Sequence, residues 1–346
     1  MADPIRILIV DDSAFARMVI RQMLSADPDI QVVGEAENGE QAIQKTKVLQ
    51  PDLVTMDINM PGVDGLEAIE SIMAYNPCPI LVVSSTTDAN IAYRAISSGA
   101  LEVVPKPELD DPHRMNFQAE FIEKVKLLSR VKVITHISGR HRRAKSPVSE
   151  AQFYQTRPAD WKKCVVIGAS TGGPKALSKI LSQLPGDLPA PVVVVQHIAD
   201  GFTQGLVDWL DSINMLKVQL VQENTPLKMS HVYIAPNGMH TRILPNGKLA
   251  FDAGMPCQGH CPAVNVLFES AAEALGEQCI AVLLTGMGSD GAEGMLAIHK
   301  RGGYTIAQDE ASCVVFGMPK SAIDLGAVQV VRPLDRIAAE IKKALL

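Results

Sequence analysis

The chain has 346 residues, 47% of them apolar, 20% charged and 4% aromatic, with a formal net charge of −6. The apolar share supports packed cores and excludes wholesale disorder, and the acidic balance argues against a nucleic-acid binder. At roughly 100–200 residues per domain, the length suits two domains. Residues 1–130 carry 11 Lys+Arg and 20 Asp+Glu (net −9), residues 131–163 carry 8 and 2 (net +6), and residues 164–346 carry 13 and 16 (net −3). A short basic stretch between two acidic blocks reads as a linker. The start, Met-Ala-Asp-Pro, has no basic n-region, and no apolar run reaches the ~18 residues of a membrane span. Six cysteines over this length read as reduced structural thiols. A cytoplasmic protein without membrane insertion is therefore expected.

Taken in chain order, the first block alternates between short apolar runs and helical spacing. Strands are predicted at Ile5–Val10, Gln31–Ala36, Leu53–Met56, Ile80–Val83 and Leu101–Val104. Helices are predicted at Ala14–Leu24, Gly39–Leu49, Leu66–Tyr75, Asn90–Ser97 and Phe117–Val131. Five strands alternating with five helices imply a parallel sheet covered on both faces, a flavodoxin-like (βα)5 domain over residues 1–127. Residues 128–160 lose the rhythm and hold Arg140-His141-Arg142-Arg143, Lys145 and Ser146-Pro147, which reads as a solvated basic linker. No interleaved aromatics support a nucleic-acid patch there.

Residues 161–346 alternate again. Strands are predicted at Cys164–Ile167, Pro191–Gln196, Val218–Val221, Val232–Ala235, Ile280–Thr285 and Tyr304–Ala307, with a hairpin across Thr241–Phe251. Helices are predicted at Pro174–Leu184, Phe202–Asp211, Ala263–Leu275 and Glu293–Arg301. This is a second doubly wound α/β domain, mostly parallel with some antiparallel strands. Cys257-Gln-Gly-His260-Cys261 has the look of a metal clip, but zinc needs about four ligands and no second cluster follows nearby.

In a parallel sheet, ligands sit outside the carboxyl ends of the strands. In the first block, Asp11-Asp12, Asp57, Ser84 and Lys106 follow four of the strands and converge if the order is flavodoxin-like. A single Asp after a strand is usually a helix cap; this whole set is harder to explain so. Three carboxylates in one crevice repel, and Mg²⁺ relieves that repulsion through oxygen ligation. One carboxylate can then accept a phosphoryl group, with the metal and Lys106 neutralising its charge and Ser84 donating a hydrogen bond.

These residues, with Met60-Pro61-Gly62-Val63-Asp64-Gly65, resemble the receiver domain of two-component response regulators over about residues 4–125. The resemblance implies that Asp57 takes a phosphoryl group from a histidine kinase. It implies that Asp12, Asp57 and the Asn59 carbonyl hold Mg²⁺, with Asp11 assisting, and that Lys106-Pro107 is a cis peptide. Where many receivers place a switching aromatic, this chain has Val103.

In the last block, Gly168-Ala169-Ser170-Thr171-Gly172-Gly173 lies between a predicted strand and a predicted helix. Gly-x-Ser-x-Gly fits a nucleophile elbow, where glycines permit a tight turn that exposes the serine. Gly173-Pro174 excludes a Walker A loop, and Ser170 stands where a dinucleotide fingerprint needs glycine. A serine needs a base, and the base an acidic orienter. His197 ends one apolar strand and Asp290 follows another, so all three lie on one rim. Each has a bland alternative: Ser170 a cap, His197 a core histidine, Asp290 a turn residue. His231, His240, His260 and His299, and Asp200, Asp252 and Asp309, are the competitors. The N–H groups of Thr171 and Met287, beside glycines, are candidate oxyanion donors.

Ile167-Gly-Ala-Ser-Thr-Gly-Gly, Val195-Gln-His-Ile, Pro262-Ala-Val-Asn-Val-Leu-Phe268 and Leu284-Thr-Gly-Met-Gly-Ser-Asp-Gly-Ala292 resemble the catalytic domain of the chemotaxis protein-glutamate methylesterase family, which also joins a receiver to this domain through a linker. The resemblance implies Ser170 as nucleophile, His197 as base, Asp290 as orienter, and Thr171 and Met287 at the oxyanion site. It implies phosphorylation-activated hydrolysis of methylated glutamates on chemoreceptor helices, releasing methanol, with glutamine deamidation by the same route. No cofactor is expected for the hydrolysis itself, and a monomer is expected. A receptor-binding adaptor without turnover, or a deamidase alone, is the alternative. Family members usually read His-Arg-Pro where this chain has His260-Cys261-Pro262.

Overall fold

The computed structural model describes residues 3–85, 89–107, 114–133 and 161–346. Most of the expected linker lies outside the described residues. In the first domain the strands are β1 (Ile5–Val10), β2 (Ile30–Ala36), β3 (Leu53–Met56), β4 (Ile80–Ser84) and β5 (Glu102–Pro105). They form one parallel sheet in the order β2-β1-β3-β4-β5, the flavodoxin-like arrangement expected. Helices α1 (Ala14–Leu24), α2 (Gly39–Leu49), α3 (Gly65–Tyr75), α4 (Ala89–Ser98) and α5 (Arg114–Leu128) alternate with them. Local chemistry fixes the ends. Ser13, Asn38 and Asp64 cap α1, α2 and α3 by accepting backbone N–H groups at the third helical residue. Both sheet faces are dry: Ile7 and Ile9 point into one core layer, Leu8 and Val10 into the other.

The second domain begins with β6 (Cys164–Ala169), α6 (Gly173–Leu181), β7 (Val192–Gln196), α7 (Thr203–Ile213), β8 (Lys217–Leu220) and β9 (His231–Ile234). The hairpin β10 (His240–Ile243) and β11 (Leu249–Asp252) follows, then α8 (Val264–Leu275), β12 (Cys279–Leu283), α9 (Ala292–Lys300) and β13 (Tyr304–Gln308). The chain closes with α10 (Met318–Asp324), β14 (Val330–Arg332) and α11 (Leu334–Leu345), three elements beyond the last one the sequence pattern marked.

The seven-stranded sheet, ordered β14-β13-β12-β6-β7-β9-β8, is parallel throughout, and the antiparallel pair β10–β11 stands apart as its own two-stranded sheet. The antiparallel strands expected from the sequence are those of this hairpin, and β8 is joined to β9 by the 221–230 connection. That stretch runs beside the hairpin, through Leu227 N–H to Gly247 O (3.0 Å) and Leu249 N–H to Thr225 O (2.9 Å), and returns the chain to the starting edge. After this return β9 runs parallel to β8.

The two domains pack directly, with α4 against α6 and α7. Tyr93 of α4 stacks on Trp209 of α7 with centroids 5.8 Å apart, and both are buried. Glu102 of β5, also buried, accepts the Gly172 N–H at 2.9 Å. Among the described residues, no helix is long and apolar enough to cross a membrane.

Candidate active site

Because β12, β6 and β7 are parallel neighbours, their carboxyl ends share one rim. Ser170 follows β6, His197 follows β7, and Asp290 lies in the loop after β12. Short-range bonds set the loop that carries Ser170. Ser170 N–H donates to Thr285 O at 3.0 Å, and Gly173 N–H donates to Ser170 O at 2.8 Å. The Gln196 amide donates to the carbonyls of Ser170 (2.9 Å) and His197 (2.7 Å), tying the two loops together. A Cβ on Gly286 would stand 2.2 Å from Met318 Sδ and 2.7 Å from Ser170 Cβ, so glycine is required for this close approach. Ser170 caps nothing: the N-cap of α6 is Gly172, at φ +76°.

His197 Nε2 and Asp290 Oδ2 are 2.9 Å apart, both side chains buried. Asp290 also accepts Val264 N–H (2.7 Å, Oδ2) and Asn265 N–H (2.9 Å, Oδ1), the first turn of α8. Burial opposes its charge, but the hydrogen bond from His197, with those from Asn265 and Val264, holds the carboxyl below its ordinary value. A carboxylate at a helix N-terminus stays ionised. Facing an acceptor-only group, Nε2 must carry the ring proton, which leaves Nδ1 as the basic nitrogen. Nδ1 is buried without a hydrogen-bond partner. No hydrogen bond joins Ser170 Oγ to it in this resting arrangement; such bonds often tighten only on substrate binding. Among the described residues, the N–H groups of Thr171 and Met287 donate to no protein acceptor.

Four further residues shape the rim. Thr285 Oγ1 donates to Thr171 O (2.9 Å) and accepts Val315 N–H (2.9 Å), while Gln308 Oε1 accepts Thr285 N–H (2.9 Å). Asn265 Oδ1 accepts Gly291 N–H (3.0 Å) and Gly294 N–H (2.9 Å), pinning the Asp290 loop to α8. Gln196 is the fourth. All are buried polar residues; Gln196, Asn265 and Thr285 stand inside the motifs, while Gln308 lies outside them and carried no local signal. His260, a competing base by sequence, lies ring to ring on His197, centroids 3.8 Å apart and planes 11° apart. His240 is buried elsewhere, between Ala263 N–H and Met255 O, and His231 bonds its own strand entry at Met229 O. The Cys257–Cys261 segment is a tight turn closed by Cys257–His260 backbone bonds. Among the described residues, its thiols and imidazole do not form a close metal-ligating group.

The first domain gathers the second predicted set. Oxygens of Asp11, Asp12 and Asp57 lie within 4.8 Å of one another. Lys106 Nζ is 2.8 Å from Asp11 Oδ2 and 3.0 Å from Asp57 Oδ2. Burial, and next to it the neighbouring Asp11, raise the Asp57 carboxyl despite Lys106. The Ser84 hydroxyl is buried without a partner, and Asn59 is exposed at the mouth. An excess of crowded carboxylate and an unmatched hydroxyl fit a hard cation and a phosphoryl group. Asp64 caps α3, and a Cβ on Gly65 would stand 2.2 Å from Asp57 O, which explains the turn after Asp57. The cis peptide expected at Lys106-Pro107 is absent; the cis bond lies at Cys261-Pro262. Lys106 reaches both aspartates with the lower-energy trans bond.

Comparison with known proteins agrees with this two-part layout. The family model for CheB methylesterase matches residues 165–341, and that for the response regulator receiver domain matches residues 7–115. A protein-glutamate methylesterase/protein-glutamine glutaminase of Anaeromyxobacter dehalogenans is 42% identical over 98% of this chain and 97% of its own. One of Symbiobacterium thermophilum is 41% identical over 99% and 97%. The crystal structure of the Thermotoga maritima CheB methylesterase catalytic domain is 43% identical, with a TM-score of 0.50, covering 53% of this chain and 97% of that one.

Proposed function

The chain belongs to the CheB methylesterase family, and from that membership and the rim geometry we propose that it is a phosphorylation-gated esterase acting on glutamate γ-methyl esters of chemoreceptor helices. The observation that carries this is the buried Nε2–Asp290 bond with Nδ1 left without a partner, on the strand-end rim that Ser170 shares. Ser170 Oγ attacks the ester carbonyl and its proton passes to His197 Nδ1. The resulting imidazolium is held by Asp290, and the oxyanion rests on the N–H groups of Thr171 and Met287. Nδ1–H then gives its proton to the departing methoxide. Water, deprotonated by the same nitrogen, clears the acyl-enzyme. With an amide in place of the ester the route releases ammonia, and the relatives' names favour this glutaminase activity as a second reaction.

Asp57 is the phosphoryl acceptor from a histidine kinase, with Lys106 and Ser84 contacting the phosphoryl oxygens. Asp11, Asp12, Asp57 and the Asn59 carbonyl would hold Mg²⁺, which supplies charge neutralisation when bound. Domain limits of 1–127 and 161–346, joined by the 128–160 linker, follow from the same division. Gating acts through the packed face of α4 and β5, where Glu102 touches the residue after Thr171.

The test is methanol release from a methylated receptor with and without a small-molecule phosphodonor. Ser170→Ala abolishes release at both settings. Asp57→Asn keeps the basal rate and loses the stimulation. Full activity in the first variant defeats the triad, and undiminished stimulation in the second defeats the gate.

A further inference from the structure

His260 sits in the loop between β11 and α8, and that loop is fastened at several points. Cys257 and His260 exchange backbone hydrogen bonds at 3.0 Å each, and Gly238 N–H donates to Cys261 O at 3.1 Å. The buried His240 accepts Ala263 N–H on Nδ1 at 3.1 Å, so its Nε2 carries the proton donated to Met255 O, also at 3.1 Å. Gln258 Oε1 accepts the Ser289 hydroxyl at 3.2 Å, one residue from Asp290. The result is a strap that holds the His260 ring flat on His197, 3.8 Å between centroids and 11° between planes.

His197 needs such a support. Its ring is anchored at one end only, by Nε2 to Asp290, while Nδ1 has no partner. Rotation about Cβ–Cγ would put Cε1 in the place of Nε2 and Cδ2 in the place of Nδ1, and the side-chain torsion of histidine is broad and roughly two-fold. A ring stacked at 3.8 Å lies in the path of that rotation. Burial, and next to it the neighbouring His197, lower the His260 imidazole to about 4, so it is neutral at neutral pH. A neutral aromatic face beside a forming imidazolium also supports the charge.

We propose that His260 is a positioning residue for the hydrolytic reaction, its ring fixing the plane of the His197 imidazole so that Nε2 stays on Asp290 and Nδ1 faces Ser170. This rests on the assignment of His197 as base. The strap residue His260 exchanges no proton and forms no bond to substrate.

The experiment compares His260→Ala, His260→Leu and His260→Phe in the full chain, with methylated receptor and phosphodonor. Phe keeps a flat ring without nitrogen; Leu fills space without a plane. We expect kcat of the Ala and Leu variants to fall ~10-fold, within the span of one partly buried cation–π and stacking contact, with KM within about 2-fold. The Phe variant should recover most of that loss. Unchanged kcat in His260→Ala, or a Phe variant as slow as Ala, overturns the proposal. So does a rise in KM alone, which would mark a substrate contact. If His260→Ala does not fold, as judged by circular dichroism, Leu against Phe decides: equal rates overturn the stack. Ser170→Ala run in parallel separates the failures. If it is inactive while the His260 variants are normal, only the positioning role falls.

Discussion

At the residue scale, Asp290 is the most heavily committed side chain on the catalytic rim. Its two oxygens accept from Val264 N–H, Asn265 N–H and His197 Nε2. An asparagine offers one acceptor oxygen to those three donors, so Asp290→Asn sets donor against donor. Loss of kcat by ~10³–10⁴ is expected from the misplaced tautomer, with ~1–3 kcal/mol of stability lost; methanol release and urea unfolding measure the two. Because the Asp290 carboxyl lies below its ordinary 3.8 when folded, its contribution is present above that value and is lost as pH falls through the depressed one. Melting points between pH 3 and 7 should therefore converge for parent and variant only at the acid end. Asp57 has the opposite sign. Its folded value is raised, so its ionisation costs stability as pH climbs from the ordinary carboxylate value through the folded one. At neutral pH without metal, Asp57→Asn should melt higher than the parent by ~5 °C. Mg²⁺ should raise the parent and leave the variant where it is, a contrast that differential scanning calorimetry reads directly.

At the element scale, the strand ends were legible because each apolar run stops at a polar residue or a glycine-rich turn. The positions of Asp11, Asp57, Ser84, Ser170 and His197 followed from that pattern alone. The late elements α10, β14 and α11 were not marked. β14 is short, half-exposed and at a sheet edge, so it carries little apolar signal. α11 does show an apolar stripe at Ile337, Ala338 and Ile341 and was within reach of periodicity. The Gly286 turn joins elements that only the fold brings together: β12 on one side, Met318 of α10 on another, Ser170 on a third. Gly286→Ala should push the nucleophile loop out of place, at ~1–3 kcal/mol of overpacking. Denaturant unfolding and kcat should fall together; a fully active Gly286→Ala variant would contradict the close approach.

At the scale of the whole molecule, the receiver lays α4 and β5 over the catalytic domain, and the two domains share one hydrophobic cluster through Tyr93 and Trp209. Burial raises the Glu102 carboxyl although Lys124 and the Gly172 N–H draw it down. An aromatic pair contributes ~0.5–1.5 kcal/mol beyond its area, and each ~1.4 kcal/mol shifts a two-state ratio tenfold. Tyr93→Ala or Glu102→Ala should thus raise the unphosphorylated rate about three- to tenfold and shrink the stimulation by phosphodonor; an unchanged basal rate would count against a closed resting arrangement. Val103, at the position where many receivers carry their switching aromatic, is buried in the same cluster, and the aromatic at this interface is Tyr93 of α4. The sequence by itself determined the two-domain division, the sheet of the receiver and the chemistry-bearing residues at the strand ends, because local periodicity and the parallel-sheet rule act over a few residues. Tertiary structure alone decided which imidazole nitrogen meets Asp290, which histidine covers its ring and where a receiver carboxylate meets the loop after Ser170. Those contacts join residues 63 to 93 positions apart, and their geometry depends on packing that no local pattern encodes.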